Sequence, residues 1–263
     1  MMLLLHGKGS FTSSREPEKR SSAGSERESV GSSERCSGNK MTTINSVKLV
    51  AVTKPVVSGV ETGDDFIAYV ARVSNPSNQG NTQTAGKLIK YLKDNKHWSP
   101  FEMAHAVLEI TTTRDIARQI LRHRSFSFQE FSQRYADPTD SLGFSLRDAR
   151  LQDSKNRQNS IDPKDTRIVS EWWDKQRYLL DIIKEQYDWA ISNGIAKEQA
   201  RAVLPEGLTV SRMYMAGSVR SWIHYCQLRM DNGTQKEHRE IASMCWEEIT
   251  KEFSSIKEGS ANA

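Results

Sequence analysis

The sequence predicts an α+β fold, a single domain in which helices flank a mainly antiparallel sheet, behind a disordered N-terminal leader. Three observations predict it. Short β-rich, alternating segments recur at separated places, and longer segments of helical period lie between and after them. Strands and helices do not follow each other as regular βαβ units, and no GxGxxG turn stands beside a strand, which argues against a dinucleotide-binding α/β sheet.

The elements follow in order. Residues 1–40 are dominated by Ser, Arg, Glu and Gly, without apolar periodicity after Met2-Leu3-Leu4-Leu5. That run is too short for a signal-peptide core or a membrane span. Segments of this composition bury too little apolar surface to offset chain entropy, so the leader is expected to be disordered, as a linker, a tag-like extension or translated upstream sequence. Residues 41–263 are expected to form the domain. Ser46 to Thr53 alternates and reads as a strand. Gly63-Asp64-Asp65 opens an N-capped helix with Phe66, Ile67 and Val70 inward, and Ala85 to Asn95 is a second, with Leu88, Ile89 and Leu92 at helical spacing. His105 to Thr112 alternates as a strand, after which Thr113-Arg114-Asp115 caps a helix running to about Arg124. Residues 136–163 are polar and read as a long loop. Asp165 to Asn193 turns helical, with Ile168, Trp172, Leu179, Ile182, Ile183 and Trp189 inward and Gly194 as its stop. Lys197 to Leu204 is a short helix broken at Pro205, Leu208 to Met215 a strand, and Gly217 to Arg229 and Gln235 to Ile256 two further helices.

Composition bounds the function. The net charge of +4 permits an anionic ligand but is too weak to argue for nucleic acid by itself. Cys36, Cys226 and Cys245 show neither CxxC pairing nor metal-ligand spacing, which fits a reducing, cytoplasmic setting. One segment concentrates chemistry. Residues 122–135 read RHRSFSFQEFSQRY, with Arg122, His123, Arg124 and Arg134 around the carboxylate of Glu130 and the hydroxyls of Ser125, Ser127, Ser132 and Tyr135. Guanidinium forks suit phosphate or carboxylate oxygens. Phe126, Phe128 and Phe131 pack in a core or stack on a planar ligand. From the residues alone this is either a solvated basic helix end followed by a strand, or a site for a flat, multiply anionic molecule.

The spacing Arg122-His123-Arg124, seven residues, then Ser132-Gln133-Arg134 resembles the RHR-x7-S-x-R signature of flavin-dependent thymidylate synthases, a pattern expected by chance on the order of once in a million windows. Ala71-Arg72-Val73-Ser74, His97-Trp98-Ser99-Pro100-Phe101-Glu102, Ala200-Arg201-Ala202-Val203-Leu204-Pro205, Arg220 to Tyr225 and Leu228-Arg229 resemble further segments of that family, in the family's order, over roughly residues 65–250. The resemblance implies an FAD enzyme that methylates dUMP to dTMP, with methylenetetrahydrofolate as carbon donor, NADPH as reductant and tetrahydrofolate as product. It also implies a homotetramer with FAD lying across its interfaces and no nucleic-acid or membrane partner.

Carried over residue by residue, the resemblance assigns Ser74, Ser99, Glu102, Arg122, His123, Arg124, Gln129, Glu130, Arg220 and His224 to FAD. It assigns Gln119, Glu130, Ser132, Gln133, Arg134, Arg201 and Arg229 to dUMP. Arg134 and Arg201 then suit the phosphate, and Arg229 the pyrimidine edge, where a cation stabilises developing negative charge. Ser132 is a ligand unless a base activates it as a nucleophile. His97 is either a flavin or folate contact or a helix-end hydrogen-bonder. With Arg229 and Ser132 it completes the residues expected nearest the chemistry. Trp172, Trp173 and Trp189 read as core or subunit interface. Two departures stand out. Gln129 replaces an Asn common in the family, and Gly233 stands where the family often has a histidine. Rival readings are a single-strand nucleic-acid module and a scaffold that binds flavin without turnover.

Overall fold

The computed structural model describes residues 44–257, and the reading of residues 1–40 and of Cys36 lies outside them. Four strands form an antiparallel sheet in the order β1-β2-β6-β3, where β1 is Ser46–Val52, β2 His105–Thr113, β3 Ser127–Glu130 and β6 Val210–Ser218. Alternation along β2 and β6 sends Ala106, Leu108, Ile110, Met213 and Met215 into the core, while His105, Glu109, Arg212 and Tyr214 line the opposite face. Among the described residues, the helices that pack on the sheet cover the first face. The mixed helix and antiparallel-sheet architecture matches the fold class that the sequence predicts.

Helix α1 (Gly63–Ala71) begins in a capping box, with Asp65 N–H donating to Thr62 Oγ1 at 3.1 Å and Thr62 N–H to Asp65 Oδ2 at 3.2 Å. It packs against α2 (Ala85–Asp94). Helices α7 (Val219–Arg229) and α8 (Lys236–Glu252) lie together over the sheet, and Trp222, Tyr225, Ile241, Cys245 and Ile249 are fully buried between them and the strands. Each such apolar side chain contributes about 1.5–3 kcal/mol by leaving water. Cys226 and Cys245 are buried free thiols, and burial pushes both pKa values up.

Several expectations need correction. Helix α3 (Arg114–Ile120) stops four residues short of Arg124, because the chain must reverse to enter β3 beside β6. The 136–163 segment is not a bare loop. It holds one turn, α4 (Pro138–Ser141), capped by Asp137, and a small hairpin of β4 (Leu151–Gln152) and β5 (Ser160–Ile161). Gly217 and Ser218 belong to β6 rather than to α7, and α8 ends at Glu252 before a separate 3₁₀ turn.

The largest departure is in α5 (Thr166–Ser192). Its start, at the Asp165 cap, and its stop, at Gly194 with φ +77°, lie where the sequence puts them. The residues read as inward do not all face protein. Trp172 is 42% exposed, Trp189 59%, and Ile168, Leu179 and Ile182 are exposed as well. Only Gln176, Tyr187 and Ala190 are buried on this helix. The last two join Ala200 and Leu204 in a small separate cluster with α6 (Lys197–Ala200) and its following turn. A helical apolar period shows that one face is apolar; it does not show what covers that face.

Candidate functional site

Ending α3 at Ile120 gives the 122–124 segment its form. His123 N–H donates to the Ile120 carbonyl at 3.0 Å, and Phe126 N–H to the His123 carbonyl at 3.3 Å, so the three cationic residues sit on a tight turn. Arg122 and Arg124 point outward and are exposed, whereas His123 turns inward against the ring of Tyr225, edge to face at 4.9 Å. Arg229, in the last turn of α7, donates its Nε–H to His123 Nε2 at 2.9 Å. Burial, reinforced by the charges of Arg229, His224 and Arg122, holds the His123 pKa at about 4. The imidazole is therefore neutral near pH 7, with Nε2 as its acceptor.

Strand β3 then distributes the next residues by alternation. Phe126 and Phe128 pack on the core, Phe126 at 4.7 Å from the Trp222 ring, which fixes them as packing groups on this chain. Gly217 makes room for that ring, since a Cβ there would stand 2.4 Å from Phe126 Cδ1. Gln129 is exposed on the open sheet face beside Tyr214. Glu130 accepts from Ser211 Oγ at 2.8 Å and lies 3.6 Å from the buried Arg114.

Past the strand, Ser132 is half-buried and accepts from Arg134 N–H at 3.4 Å. Gln133 is buried with its Nε2 unpartnered. Arg134 reaches the Glu198 carboxylate at 3.4 Å, and Arg201 Nε–H donates to the Glu198 carbonyl at 3.3 Å. Two arginines 67 positions apart in the chain thus contact the same residue, one at its carboxylate and one at its main-chain carbonyl.

A second grouping lies where β6 ends and β3 begins. A cavity of about 330 Å³ is lined by Glu102, His105, Ser125, Ser127, Ser218, Arg220 and Ser221. Ser99 and Glu102 share the 3₁₀ turn Ser99–Glu102. Arg220 Nε lies 3.6 Å from Glu102 Oε1, and Ser218 Oγ donates to the same carboxylate. His224 is exposed one turn beyond Arg220. Ser74 and His97 are exposed on the loops after α1 and α2, and no hydrogen bond joins either to these groupings among the described residues. His97 makes an edge contact with Tyr91 at 6.0 Å.

Beneath the turn runs a polar layer that the sequence did not announce, buried at His238 and Glu237 and exposed at Gln235. His238, on α8, approaches the Tyr225 hydroxyl with Nε2 at 3.2 Å and Gln119 Oε1 with Nδ1 at 3.3 Å. Gln119 Nε2–H donates to Gln235 Oε1 at 2.8 Å, and Gln235 Nε2–H to Glu237 Oε2 at 3.0 Å. Arg147 neutralises Glu237 from 3.3 Å. A larger cavity, about 950 Å³, opens between the β4–β5 hairpin, the first half of α5 and the start of α8. No group of three or more His, Cys, Asp or Glu side chains gathers as a metal site among the described residues.

Residues 55–254 match the family model described as "Thymidylate synthase complementing protein". A probable flavin-dependent thymidylate synthase of Paramecium bursaria Chlorella virus 1 is 52% identical over 214 residues, which are 80% of this chain and 96% of that protein. A flavin-dependent thymidylate synthase of Synechocystis is 47% identical over the same shares of the two chains. The chain belongs to the flavin-dependent thymidylate synthase family. Among solved structures, a UMP/dUMP methylase of Streptomyces cacaoi bound with 5-Br dUMP superposes with a TM-score of 0.68 at 24% identity, covering 80% of this chain and 92% of that one. At that identity the likeness speaks for the fold.

Proposed function

We propose that the protein makes dTMP from dUMP, holding FAD as its cofactor, with methylenetetrahydrofolate as carbon donor, NADPH as reductant and tetrahydrofolate as product. The observation that carries the reading is that Arg134 and Arg201 both contact Glu198, Arg134 at its carboxylate and Arg201 at its main-chain carbonyl. Two guanidinium groups held at one residue form a donor pair that fits a phosphate monoester. The donors of the second grouping fit a flavin nucleotide in the same way. Arg220 offers a cation, and Ser125, Ser127 and Ser221 offer hydroxyls around a cavity whose size suits part of such a molecule.

Reduced flavin, when bound, supplies the electrons that turning a methylene unit into a methyl group requires. The chain's own groups bind and orient. Arg134, Arg201, Ser132 and Gln133 hold the phosphate of dUMP, Arg229 faces the pyrimidine, and Gln119 and Glu130 also hold the nucleotide. Among the described residues His123 engages Arg229 through Nε, which leaves the terminal N–H groups to stabilise negative charge that develops on the ring carbonyls. Ser132 acts as a ligand. Its recorded partner is the Arg134 N–H, and no base reaches its hydroxyl among the described residues, so nucleophilic attack by this serine has no support. Arg122, Arg124, Gln129, Glu102, Arg220 and His224 contribute to the flavin site, together with Ser74, Ser99, His123 and Glu130. His97 contacts flavin or folate. The exposed apolar face of α5 and the open sheet face support a homotetramer in which subunits complete one another's sites.

The test is dUMP-dependent oxidation of NADPH by the purified flavin-loaded protein, with the folate product identified. Turnover yielding dTMP and tetrahydrofolate is expected. Dihydrofolate as product, or oxidation indifferent to dUMP, would refute the reading.

A further inference from the structure

The cavity of about 950 Å³ is lined by two unlike kinds of surface. Its apolar part is the first half of α5, where Ile168, Trp172 and Leu179 share one helix face and the Trp172 indole is exposed. Ile182 and Trp189, further along the same helix, lie outside the lining. The rest is cationic. Six Lys and Arg side chains line the cavity against three carboxylates. Those three are already engaged, Asp115 and Glu237 by Arg147 and Asp148 by Lys236 at 2.7 Å. Arg150 reaches Asp162 at 3.0 Å. Arg157, Lys175 and Arg239 form no ion pair among the described residues and leave the cavity with uncompensated positive charge. Its frame is fixed by hydrogen bonds. Asp153 closes the turn that carries Arg157, accepting from Lys155 N–H and from the Asn159 amide, both at 2.8 Å. Gln176 accepts from the Arg147 main-chain N–H at 2.8 Å and returns an N–H to its carbonyl at 3.0 Å. A site built this way needs little ordering before a ligand enters.

We propose that this cavity is a second nucleotide site, which takes an adenosine bearing phosphate groups, the base against Trp172 and the phosphates at Arg157, Lys175 and Arg239. A base stacks on an aromatic side chain through its π-face, and a purine offers an indole more surface than a pyrimidine does. Guanidinium and ammonium groups without a carboxylate partner draw phosphate oxygens. Three such cations beside one indole suit a single nucleotide better than a strand, whose backbone asks for a longer basic track. No residue of the dUMP or flavin groupings lines the cavity, so the site is additional to both. Two sources carry this chemistry, the 2′-phosphoadenosine half of NADPH and a free adenine nucleotide such as ATP. The site itself stands apart from the dTMP reading, and only its assignment to NADPH rests on that reading. NADPH is favoured by position. The lining reaches Gln235, whose Oε1 accepts from Gln119 Nε2–H at 2.8 Å, three residues ahead of Arg122. The cavity thus anchors the half of the dinucleotide that does not react, on the side of the RHR turn.

The experiment measures dissociation constants of 2′,5′-ADP, ATP and dUMP by calorimetry on the flavin-loaded full chain and on Trp172→Ala, Lys175→Ala and Arg157→Ala. Bound FAD is quantified from its absorbance. The expected result is that 2′,5′-ADP binds the wild-type protein and is displaced by NADPH. Its binding should weaken about 10-fold or more in Trp172→Ala, the scale of one lost stacking contact. Each cation variant should weaken it about 3–10-fold. All three side chains are exposed, so replacing them leaves the fold standing, and FAD content and the Kd of dUMP should not move. ATP binding with the same sensitivity to the three substitutions, not displaced by NADPH, supports the site and gives it to the free nucleotide. Binding of neither 2′,5′-ADP nor ATP, or binding indifferent to all three substitutions, overturns the proposal. Wild-type protein that binds 2′,5′-ADP in this cavity yet forms no dTMP overturns the functional reading and leaves the site standing.

Discussion

The Nε of Arg229 lies 2.9 Å from Nε2 of His123, joining the end of α7 to the turn that follows α3. Because an arginine can only donate, this contact fixes His123 as an acceptor and holds the guanidinium in one orientation. Arg229→Ala should lower kcat about 10²–10³-fold, the scale for removing one preorganised donor from a developing charge. His123→Ala should reproduce part of that loss by releasing Arg229. Steady-state kinetics check both, and an Arg229→Ala enzyme of normal kcat would remove the electrostatic role.

The meeting of Arg134 and Arg201 at Glu198 gives a paired prediction. Arg201→Ala should raise the Kd of dUMP about 10–100-fold, since a charged hydrogen bond contributes about 1.5–3 kcal/mol, while flavin is retained. Glu198→Gln removes a carboxylate that competes with the phosphate for Arg134, so dUMP should bind about 2–5-fold more tightly. Calorimetry reads both, and weaker binding in Glu198→Gln would show that the glutamate helps rather than competes.

Ser132→Ala should slow turnover about 10-fold without abolishing it, as expected for the loss of one neutral ligand hydrogen bond. Complete loss of turnover with dUMP still bound would instead make this hydroxyl a nucleophile.

Gly217→Ala tests the packing that shapes the site. The added methyl group meets the Phe126 ring at 2.4 Å and forces it to shift, at about 1–3 kcal/mol. Since Phe126 leads from the RHR turn into β3, flavin content should fall with stability. Thermal unfolding and absorbance provide the comparison.

Acid should expose the two buried imidazoles. Burial is the main cause that holds His238 at about 3 and His123 at about 4, against an ordinary value of 6.5. Their unfolded counterparts take up protons first, so stability is complete above pH 6.5 and declines as pH falls from there toward about 4 and then 3. Between pH 6.5 and 5, where carboxylates remain ionised, Tm should fall with decreasing pH, and more shallowly in His238→Asn. Equal slopes would show that His238 is not held neutral.

The regular elements were legible because period and capping are local. Asp64 and Asp65 at the start of α1, and Gly194 after α5, sit where side-chain chemistry dictates, although the capping hydroxyl of Thr62 itself did not stand out. The end of α3 was not legible. No Gly or Pro marks Ile120, and the helix stops because β3 must pair with β6, a partner more than eighty residues away. The exposure of Trp172 and Trp189 was hidden for a related reason, since the pattern reveals an apolar face but not its cover.

Within the site, Arg122 to Arg134 and Arg201 stood out as charged motifs. Glu198, Ser218 and His238 did not, because their meaning lies in whom they meet. A histidine on α8 gains a role only once folding buries it between Tyr225 and Gln119.

The most direct test of the account is the visible absorption spectrum of the purified protein, recorded before and after anaerobic NADPH with and without dUMP. Oxidised-flavin absorbance that bleaches on reduction, with reoxidation coupled to dTMP formation only when dUMP and methylenetetrahydrofolate are both added, is the predicted result. A colourless protein that takes up no FAD on reconstitution would contradict the account at its base.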